Sequence, residues 1–169
     1  MKKLGIFYGT STGNTEYVAK LLVKEFGDYD VHLADIARVK NVRLLEDFDY
    51  LILASSTWNF GDLQDDWMDR KAVLEGLNLK GKKVALLGLG DASAYPENFV
   101  DSIGILYDMV NSCGAEVVGQ VARSGYDFDE SKALRNGSFV GLPIDEENEG
   151  HLTKQRLQDW ALQLQEAFK

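Results

Sequence analysis

The sequence has a single cysteine, Cys113, and only two histidines, His32 and His151. One cysteine excludes an intrachain disulfide, and we interpret Cys113 as a small buried hydrophobic residue near a helix end marked by Gly114. The histidines lie far apart in the sequence and belong to no cluster of metal ligands, so we expect both at the surface. The sequence therefore indicates neither a metal site nor a histidine-based catalytic group.

Long hydrophobic runs are also missing. No segment approaches the roughly 18 to 20 apolar residues of a membrane span, and the N-terminal MKKLGIFYGT has too few apolar residues for a secretion signal. We therefore expect a cytoplasmic protein, in keeping with the low cysteine content. A chain of 169 residues has the size of one domain, so we expect a single domain over residues 1–169.

Basic residues are fewer than acidic ones: 18 Lys and Arg stand against 27 Asp and Glu, which gives a formal net charge of −9. The field of such a protein repels nucleic acid and anionic membranes, so we expect neither as a partner. A protein with a basic face suits this charge better.

Apolar segments typical of β-strands alternate with segments of helical periodicity. The predicted strands are residues 4–8, 31–33, 50–54, 84–89 and 116–121, with a fragment at 139–142. Helical spacing predicts helices that end at Gly27, before Gly114 and at the C-terminus, and a further helix within residues 34–49. Because parallel strands need long crossovers, the alternation predicts an α/β fold with helices on both faces of a parallel sheet. The polar stretch 122–138 is predicted to be an excursion within the last strand.

The loop GTSTGNTE, residues 9–16, follows the first predicted strand and contains no lysine or arginine. A helix beginning near Gly13 or Asn14 directs its free N–H groups and its positive dipole end at this loop. The loop lacks the lysine of the GxxxxGK[ST] motif and the spacing of GxGxxG, which disfavours a nucleotide triphosphatase and a dinucleotide site. It predicts a site for one terminal phosphate, built from neutral dipoles. The alternative is an ordinary N-capping loop rich in Ser and Thr.

Two further loops follow predicted strands, at residues 55–67 and 88–99. The first contains Trp58, whose indole needs a surface to cover; the second contains Asp91, which can accept a hydrogen bond from a heterocycle, and Tyr95. Alternatively, Trp58 covers the core, and the second loop is a glycine-rich turn into a helix that begins around residues 96–99. Ligands of open parallel sheets bind at the carboxyl ends of the strands. The three loops together predict a pocket for a planar ring with a phosphorylated tail.

Four motifs in this order resemble the flavodoxin family: TSTGNT at 10–15, TWN at 57–59, GLGDASAY at 88–95 and GYDFDESKALRNGSFVGL at 125–142. The last is similar to the long-chain flavodoxins, in which an insertion divides the fifth strand. The resemblance implies a doubly wound, five-stranded parallel sheet of flavodoxin-like order 2-1-3-4-5 and non-covalently bound FMN.

The resemblance also implies which residues contact FMN. The phosphate would be bound by Thr10, Ser11, Thr12, Gly13, Asn14 and Thr15. Ser56 and Thr57 would lie near the ribityl and phosphate end, and Trp58 and Tyr95 would sandwich the isoalloxazine. Its polar edge would meet Asn59, Phe60, Gly61, Leu89, Gly90, Asp91 and Asn98. The chain departs from the family pattern at Ser11, where many relatives have Gln, and at Leu89, where many have Thr.

The implied function is a low-potential one-electron carrier rather than an enzyme. The carbonyl of Asn59 is expected to accept the new N5–H of a neutral semiquinone, while nearby carboxylates disfavour the anionic hydroquinone. The expected partners are basic-faced redox proteins, such as an NAD(P)H-dependent flavodoxin reductase and an acceptor enzyme, and the carrier is expected to be a monomer.

Two rival functions share this architecture. An FMN-dependent quinone or azo reductase needs a substrate cavity beside the flavin, which aromatic rings on both faces would obstruct. A phosphorylatable receiver domain needs paired acids at the end of the first strand, where this chain has Gly9 and Thr10.

Overall fold

A parallel sheet between two layers of helices forms the centre of the computed structural model, which describes residues 1–169. The strands are β1 (Lys2–Gly9), β2 (Tyr29–Asp35), β3 (Tyr50–Trp58), β4 (Asp62–Leu63), β5 (Lys83–Leu89), β6 (Glu116–Val118), β7 (Val121–Ala122), β8 (Leu134–Arg135), β9 (Ser138–Phe139) and β10 (Leu142–Ile144). The α-helices are α1 (Asn14–Val23), α2 (Asp65–Asp69), α3 (Lys71–Leu74), α4 (Asp101–Ser112), α5 (Glu146–Glu149) and α6 (Thr153–Ala167). None of these helices has the length and apolar character needed to span a membrane.

The main sheet has the order β2-β1-β3-β5-β10, and these strands are all parallel. β6 also pairs with β5, so that β6 and β10 together form the fifth strand of the sheet. The predicted order 2-1-3-4-5 and the divided fifth strand are confirmed. The short β4 adds an antiparallel pair with the end of β3.

Side chains of the central strands alternate between two buried layers because successive residues of a strand point to opposite faces. On β3, Leu51 and Leu53 belong to the layer that includes α4 residues, whereas Ile52 and Ala54 belong to the layer with α1 and α6 residues. Both faces of the sheet are therefore covered, as the continuous apolar run of β3 predicts.

The insertion, defined here as residues 119–141, lies between β6 and β10. It contains a three-stranded antiparallel sheet of order β7-β9-β8. The predicted strand 116–121 is therefore interrupted after Val118, and the predicted fragment 139–142 is wrong in part because Phe139 belongs to the small sheet. Strands of two residues carry too little alternation to be recognised in sequence.

Two helix predictions are also wrong. Residues 34–49 form two short 3₁₀ segments, Ile36–Arg38 and Val42–Asp47, instead of an α-helix. The side chains of Asp35 and Asn41 accept hydrogen bonds from backbone amides two residues later, which favours short turns over a continuous helix. The helix predicted to begin around 96–99 begins at Asp101, because Val100 before it has a left-handed φ of 49°.

The predicted burial of Cys113 and the predicted surface positions of the two histidines are confirmed. Cys113 is buried, and its thiol donates to the carbonyl of Leu74, at 3.2 Å. Burial raises the pKa of the Cys113 thiol, which keeps it protonated and unreactive. His32 and His151 are exposed.

Candidate functional site

A cleft of about 200 Å³ opens at the carboxyl ends of the central strands. Loops after β1, β3, β5 and β10 all contribute to it, as expected for a ligand site in an open parallel sheet. It is lined by Thr12, Asn14, Ser56, Thr57, Trp58, Asn59, Leu89, Gly90, Asp91, Tyr95, Asn98, Glu146 and Glu147. All of these except Glu146 and Glu147 are predicted site residues, so the three predicted loops do converge.

The other predicted site residues are next to the cleft but do not line it. They are Thr10, Ser11, Gly13, Thr15, Phe60 and Gly61. Ser11 is exposed, Thr15 is buried beneath the loop, and the Phe60 ring is 82% exposed. The backbone at several of these positions nevertheless shapes the site.

The N-terminus of α1 offers unpaired donors. Gly13 precedes the helix with a φ of 93°, and no side chain caps the helix. The N–H groups of Asn14, Thr15 and Glu16 donate to no acceptor within the protein, while the N–H of Gly13 donates to the hydroxyl of Thr10 at 3.0 Å. Converging free amides at a helix N-terminus form a binding site for an anion.

The hydroxyl of Thr15 provides a second, independent indication of a ligand. Thr15 is 1% exposed, and its Oγ1 is buried without a hydrogen-bond partner. Leaving a buried hydroxyl unpaired costs about 1–3 kcal/mol. A phosphate oxygen at this loop fits both the hydroxyl and the free amides.

The loop after β1 is held from below by Gln64, a residue that the sequence analysis did not identify. Its buried side chain donates from Nε2 to the hydroxyl of Ser11 at 3.2 Å and to the carboxylate of Asp66 at 2.8 Å. A Cβ on Gly9 would collide with the Gln64 amide and with Trp67. Glycine at position 9 therefore allows the Gln64 side chain to pass beneath the loop.

Trp58 and Tyr95 line the same cleft from different loops. The indole N–H of Trp58 donates to the hydroxyl of Ser56 at 2.8 Å, which fixes the half-buried ring. Tyr95 is 45% exposed, and neither ring stacks on another aromatic ring of the protein. Both therefore have free faces for a planar ligand.

The turn at residues 58–61 contains two residues with positive φ. Asn59 has a φ of 48° and Gly61 a φ of 99°. The N–H of Gly61 donates to the carbonyl of Trp58 at 3.1 Å, and this bond closes the turn. Asparagine tolerates the left-handed region better than most residues, which suits it to position 59.

Asp91 is ordered by three donors. Its Oδ1 accepts from the amides of Ser93 and Ala94 and from Asn148 Nδ2, at 3.1, 2.9 and 2.9 Å. Burial by itself raises the pKa of Asp91, but these hydrogen bonds outweigh burial and hold the pKa below its ordinary value. Its Oδ2 makes no hydrogen bond within the protein and is free to accept one from a ligand.

No lysine, arginine or histidine lines the cleft, whereas Asp91, Glu146 and Glu147 do. Glu147 accepts a hydrogen bond from Asn14 Nδ2 at 3.4 Å. The cleft therefore combines neutral donors for a phosphate with carboxylates that oppose added negative charge on a bound ring.

A larger and more open groove of about 780 Å³ borders β2. It contains three basic side chains, Arg38, Lys40 and Arg43, but also the carboxylates of Asp35, Glu46 and Asp47. Its charges cancel, and none of its residues belongs to the four motifs. We therefore assign the site to the cleft at the strand ends.

Comparison with known proteins decides the family. A family model described as flavodoxin matches residues 6–160 of the chain. The chain belongs to the flavodoxin family. Its relatives include the flavodoxin of Nostoc sp. strain PCC 7120, which is 46% identical over 167 residues, covering 99% of this chain and 98% of the relative. Flavodoxin 1 of Escherichia coli strain K12 is 41% identical over 163 residues, covering 96% and 92%.

A solved flavodoxin structure supports the same assignment. The flavodoxin of Fusobacterium nucleatum bound to flavin mononucleotide matches the fold with a TM-score of 0.95 at 36% identity, and the match covers 100% of both chains. Flavodoxins are electron-transfer flavoproteins rather than enzymes, and this chain is an electron-transfer protein of that family.

Proposed function

We propose that this flavodoxin-family chain is a low-potential one-electron carrier that binds FMN non-covalently in the cleft at the strand ends. The unpaired buried hydroxyl of Thr15, beside the uncapped N-terminus of α1, is the observation that carries the proposal. FMN, when bound, supplies reversible one-electron redox chemistry, and the protein sets its position and surroundings.

The loop after β1 binds the phosphate. Its contacts are the backbone N–H groups at the start of α1 and the hydroxyl and amide side chains of Thr10, Ser11, Thr12, Asn14 and Thr15. No cation is needed, because aligned amide dipoles and hydroxyls stabilise the dianion. Ser56 and Thr57 bind at the ribityl end.

Trp58 and Tyr95 enclose the flavin ring, and the backbone of residues 59–61 and 89–91 meets its polar edge. The free Oδ2 of Asp91 accepts a hydrogen bond from a ring N–H. The carbonyl of Asn59 would accept a hydrogen bond from a ring N–H at N5. Aromatic rings on both faces leave no position for a nicotinamide or quinone to stack, which favours a carrier over a reductase.

Carboxylates around the cleft make the second electron difficult to add. Asp91, Glu146 and Glu147 line the cleft, and no cation there offsets the charge of the reduced flavin. Like charges near a poorly solvated anion raise its free energy. This repulsion is the physical basis of the low potential.

Basic-faced redox proteins, an NAD(P)H-dependent reductase and an acceptor, are the proposed partners. The net charge of −9 attracts such faces over long range and accelerates encounter without tight binding. We further propose that the chain acts as a single domain and a monomer in the cytoplasm.

Flavin titration tests this function directly. The purified protein, freed of flavin, is titrated with FMN while flavin fluorescence is followed, and the loaded protein is then reduced stepwise. The proposal expects tight one-to-one binding and two separated one-electron stages. A protein that takes up no FMN would refute it, and turnover of NAD(P)H with a quinone in the absence of a separate reductase would favour the reductase alternative.

A further inference from the structure

The insertion holds the loop that precedes α4. Its residues 129–132, called here the clasp, make hydrogen bonds to residues 96–101. The amides of Asp129 and Glu130 both donate to the carbonyl of Pro96, at 2.8 and 3.0 Å, and the amide of Phe99 donates back to the carbonyl of Glu130 at 3.2 Å. The hydroxyl of Ser131 donates to the carbonyl of Phe99. The clasp thus fixes the backbone on both sides of Asn98.

Asp101 connects the clasp to the cofactor cleft. It is 1% exposed, and its Oδ1 accepts from the amide of Lys132 at 2.7 Å. Its Oδ2 accepts from Asn98 Nδ2 at 3.2 Å. A buried carboxylate needs such donors, because an unpaired charge in the protein interior is strongly destabilising.

Asn98 carries this connection to the turn at residues 58–61. The same Nδ2 donates to the carbonyl of Phe60 at 3.0 Å. A Cβ on Gly61 would collide with Oδ2 of Asp101, so the carboxylate also packs directly against the turn. Hydrogen bonds therefore run without a gap from Lys132 through Asp101 and Asn98 to Phe60.

Backbone strain lies at the centre of this arrangement. Val100 is fully buried and has a φ of 49°. A β-branched residue in the left-handed region is a genuine outlier, which persists only where surrounding contacts hold it. The strain is located between Asn98 and Asp101, the two side chains that make the connection, and the clasp bonds the residues on both sides of Val100.

We propose that the insertion is a positioning element for the redox turn, and that Asp101 is the positioning residue through which it acts. The proposal rests on the proposed function, because the turn at 58–61 is the one that faces the flavin N5. By holding Asn98, Asp101 orders the Phe60 carbonyl before FMN binds and limits how far the Asn59–Phe60 peptide rotates when the flavin is reduced. Without the clasp, the turn samples more orientations.

The first test uses the flavin-free full-length protein and so does not depend on FMN binding. Hydrogen exchange is measured at the Gly61 amide, which closes the turn. Asp101→Asn is expected to accelerate this exchange about tenfold. It replaces one of the two carboxylate oxygens with an NH₂ group, so one of the hydrogen bonds that Asp101 accepts from Asn98 and Lys132 is lost. Ser131→Ala, which removes only a clasp hydroxyl, is expected to accelerate it less, and exposed Ser124→Ala in the same insertion leaves it unchanged.

An unchanged exchange rate at Gly61 in a folded Asp101→Asn variant overturns the proposal. If Asp101→Asn does not fold, the exchange rate at Gly61 is compared in Ser131→Ala, where an unchanged rate likewise overturns the proposal. Failure of the wild-type protein to bind FMN would refute the proposed function but leave this exchange result interpretable.

The second test uses the FMN-loaded protein and separates positioning from a general loss of stability. Asp101→Asn and Asn98→Ala are each expected to shift the potential of the first electron in the same direction. The double variant should shift it by clearly less than the sum of the two single shifts, because Asp101 acts on the turn largely through Asn98. Additive shifts, or a lower unfolding temperature with no shift in potential, would contradict the proposal.

Discussion

Gln64 Nε2 donates to the hydroxyl of Ser11 at 3.2 Å, so a buried side chain from the segment after β4 holds the loop after β1. Ser11 departs from the family pattern at the phosphate loop, where many relatives have Gln. The structure shows that this serine has a specific internal partner.

Ser11→Ala removes this contact and is expected to weaken FMN binding about three- to tenfold, since one neutral hydrogen bond that orders the loop is lost. Gln64→Met removes the same bond and also both contacts with Asp66, so it should additionally lower the free energy of unfolding by about 1–3 kcal/mol. Fluorescence titration and urea denaturation measure the two effects. Equal FMN affinity in all three proteins would show that the bond does not order the loop.

Thr15→Val replaces the buried hydroxyl with a methyl group of similar size. FMN binding should weaken about tenfold, while the binding of riboflavin, which lacks the phosphate, should not change. The flavin-free variant should be as stable as the wild type or more so, because a buried unpaired hydroxyl disappears. A parallel loss of affinity for both flavins would indicate that Thr15 does not contact the phosphate.

Gly61→Ala should be strongly destabilising for two independent reasons. Position 61 has a φ of 99°, which alanine tolerates poorly, and the added Cβ would collide with the Asp101 carboxylate. We expect the free energy of unfolding to fall by about 2 kcal/mol or more. Gly13→Ala is a matched control, because Gly13 has a similar φ of 93° but open space around it. Gly13→Ala should lose only the stability that the backbone conformation costs. An equal fall in the free energy of unfolding in both variants would show that the collision with Asp101 does not contribute.

Tyr126 gives the protein a defined alkaline pH dependence. Its hydroxyl donates to the carbonyl of Pro143 at 2.9 Å, and burial raises its pKa from the ordinary 10.0 to about 12, with a smaller opposing effect of Arg156 and a smaller raising effect of Glu149. The folded protein thus holds the proton more tightly than the unfolded chain. This contribution is fully present below pH 10 and is lost as the pH rises to about 12.

The comparison with Tyr126→Phe isolates this effect. Near neutral pH the variant should be less stable than the wild type by about 1 kcal/mol, the value of the lost hydrogen bond. Urea denaturation at about pH 9 and about pH 11 should show that the advantage of the wild type shrinks with rising pH. A constant difference would mean that the phenol titrates normally in the folded state.

Electron exchange with a basic reductase should become slower as salt is added. The acidic surface attracts the partner over a distance that ionic screening shortens to about 8–10 Å near physiological ionic strength. Stopped-flow rates measured over a range of salt concentrations test this expectation. Rates that do not depend on salt would remove the proposed role of the acidic charge.

The features that were predictable from sequence are local ones. Gly13 and the hydroxyl residues indicate the loop at 9–16, and continuous apolar runs indicate the strands of the main sheet. Parallel strands bring their carboxyl ends to one edge of the sheet. Local motifs were therefore sufficient to predict that Trp58 and Tyr95 lie in one cleft.

The features that were not predictable depend on contacts between distant residues. In the sequence, Asp101 looks like any acidic residue in the first turn of a helix. Only the folded chain brings Lys132 and Asn98 within hydrogen-bond distance of its two carboxylate oxygens. Gln64 likewise gives no sign that it reaches Ser11. The left-handed Val100 contradicts the local preference of valine, because tertiary contacts outweigh propensity there.

A crystal structure of this protein with bound FMN is the decisive measurement for the proposed site. We expect the phosphate at the N-terminus of α1, within hydrogen-bond distance of Thr15 Oγ1, and the isoalloxazine between Trp58 and Tyr95. FMN found elsewhere, for instance with its phosphate on Arg38 and Arg43 in the groove beside β2, would contradict it.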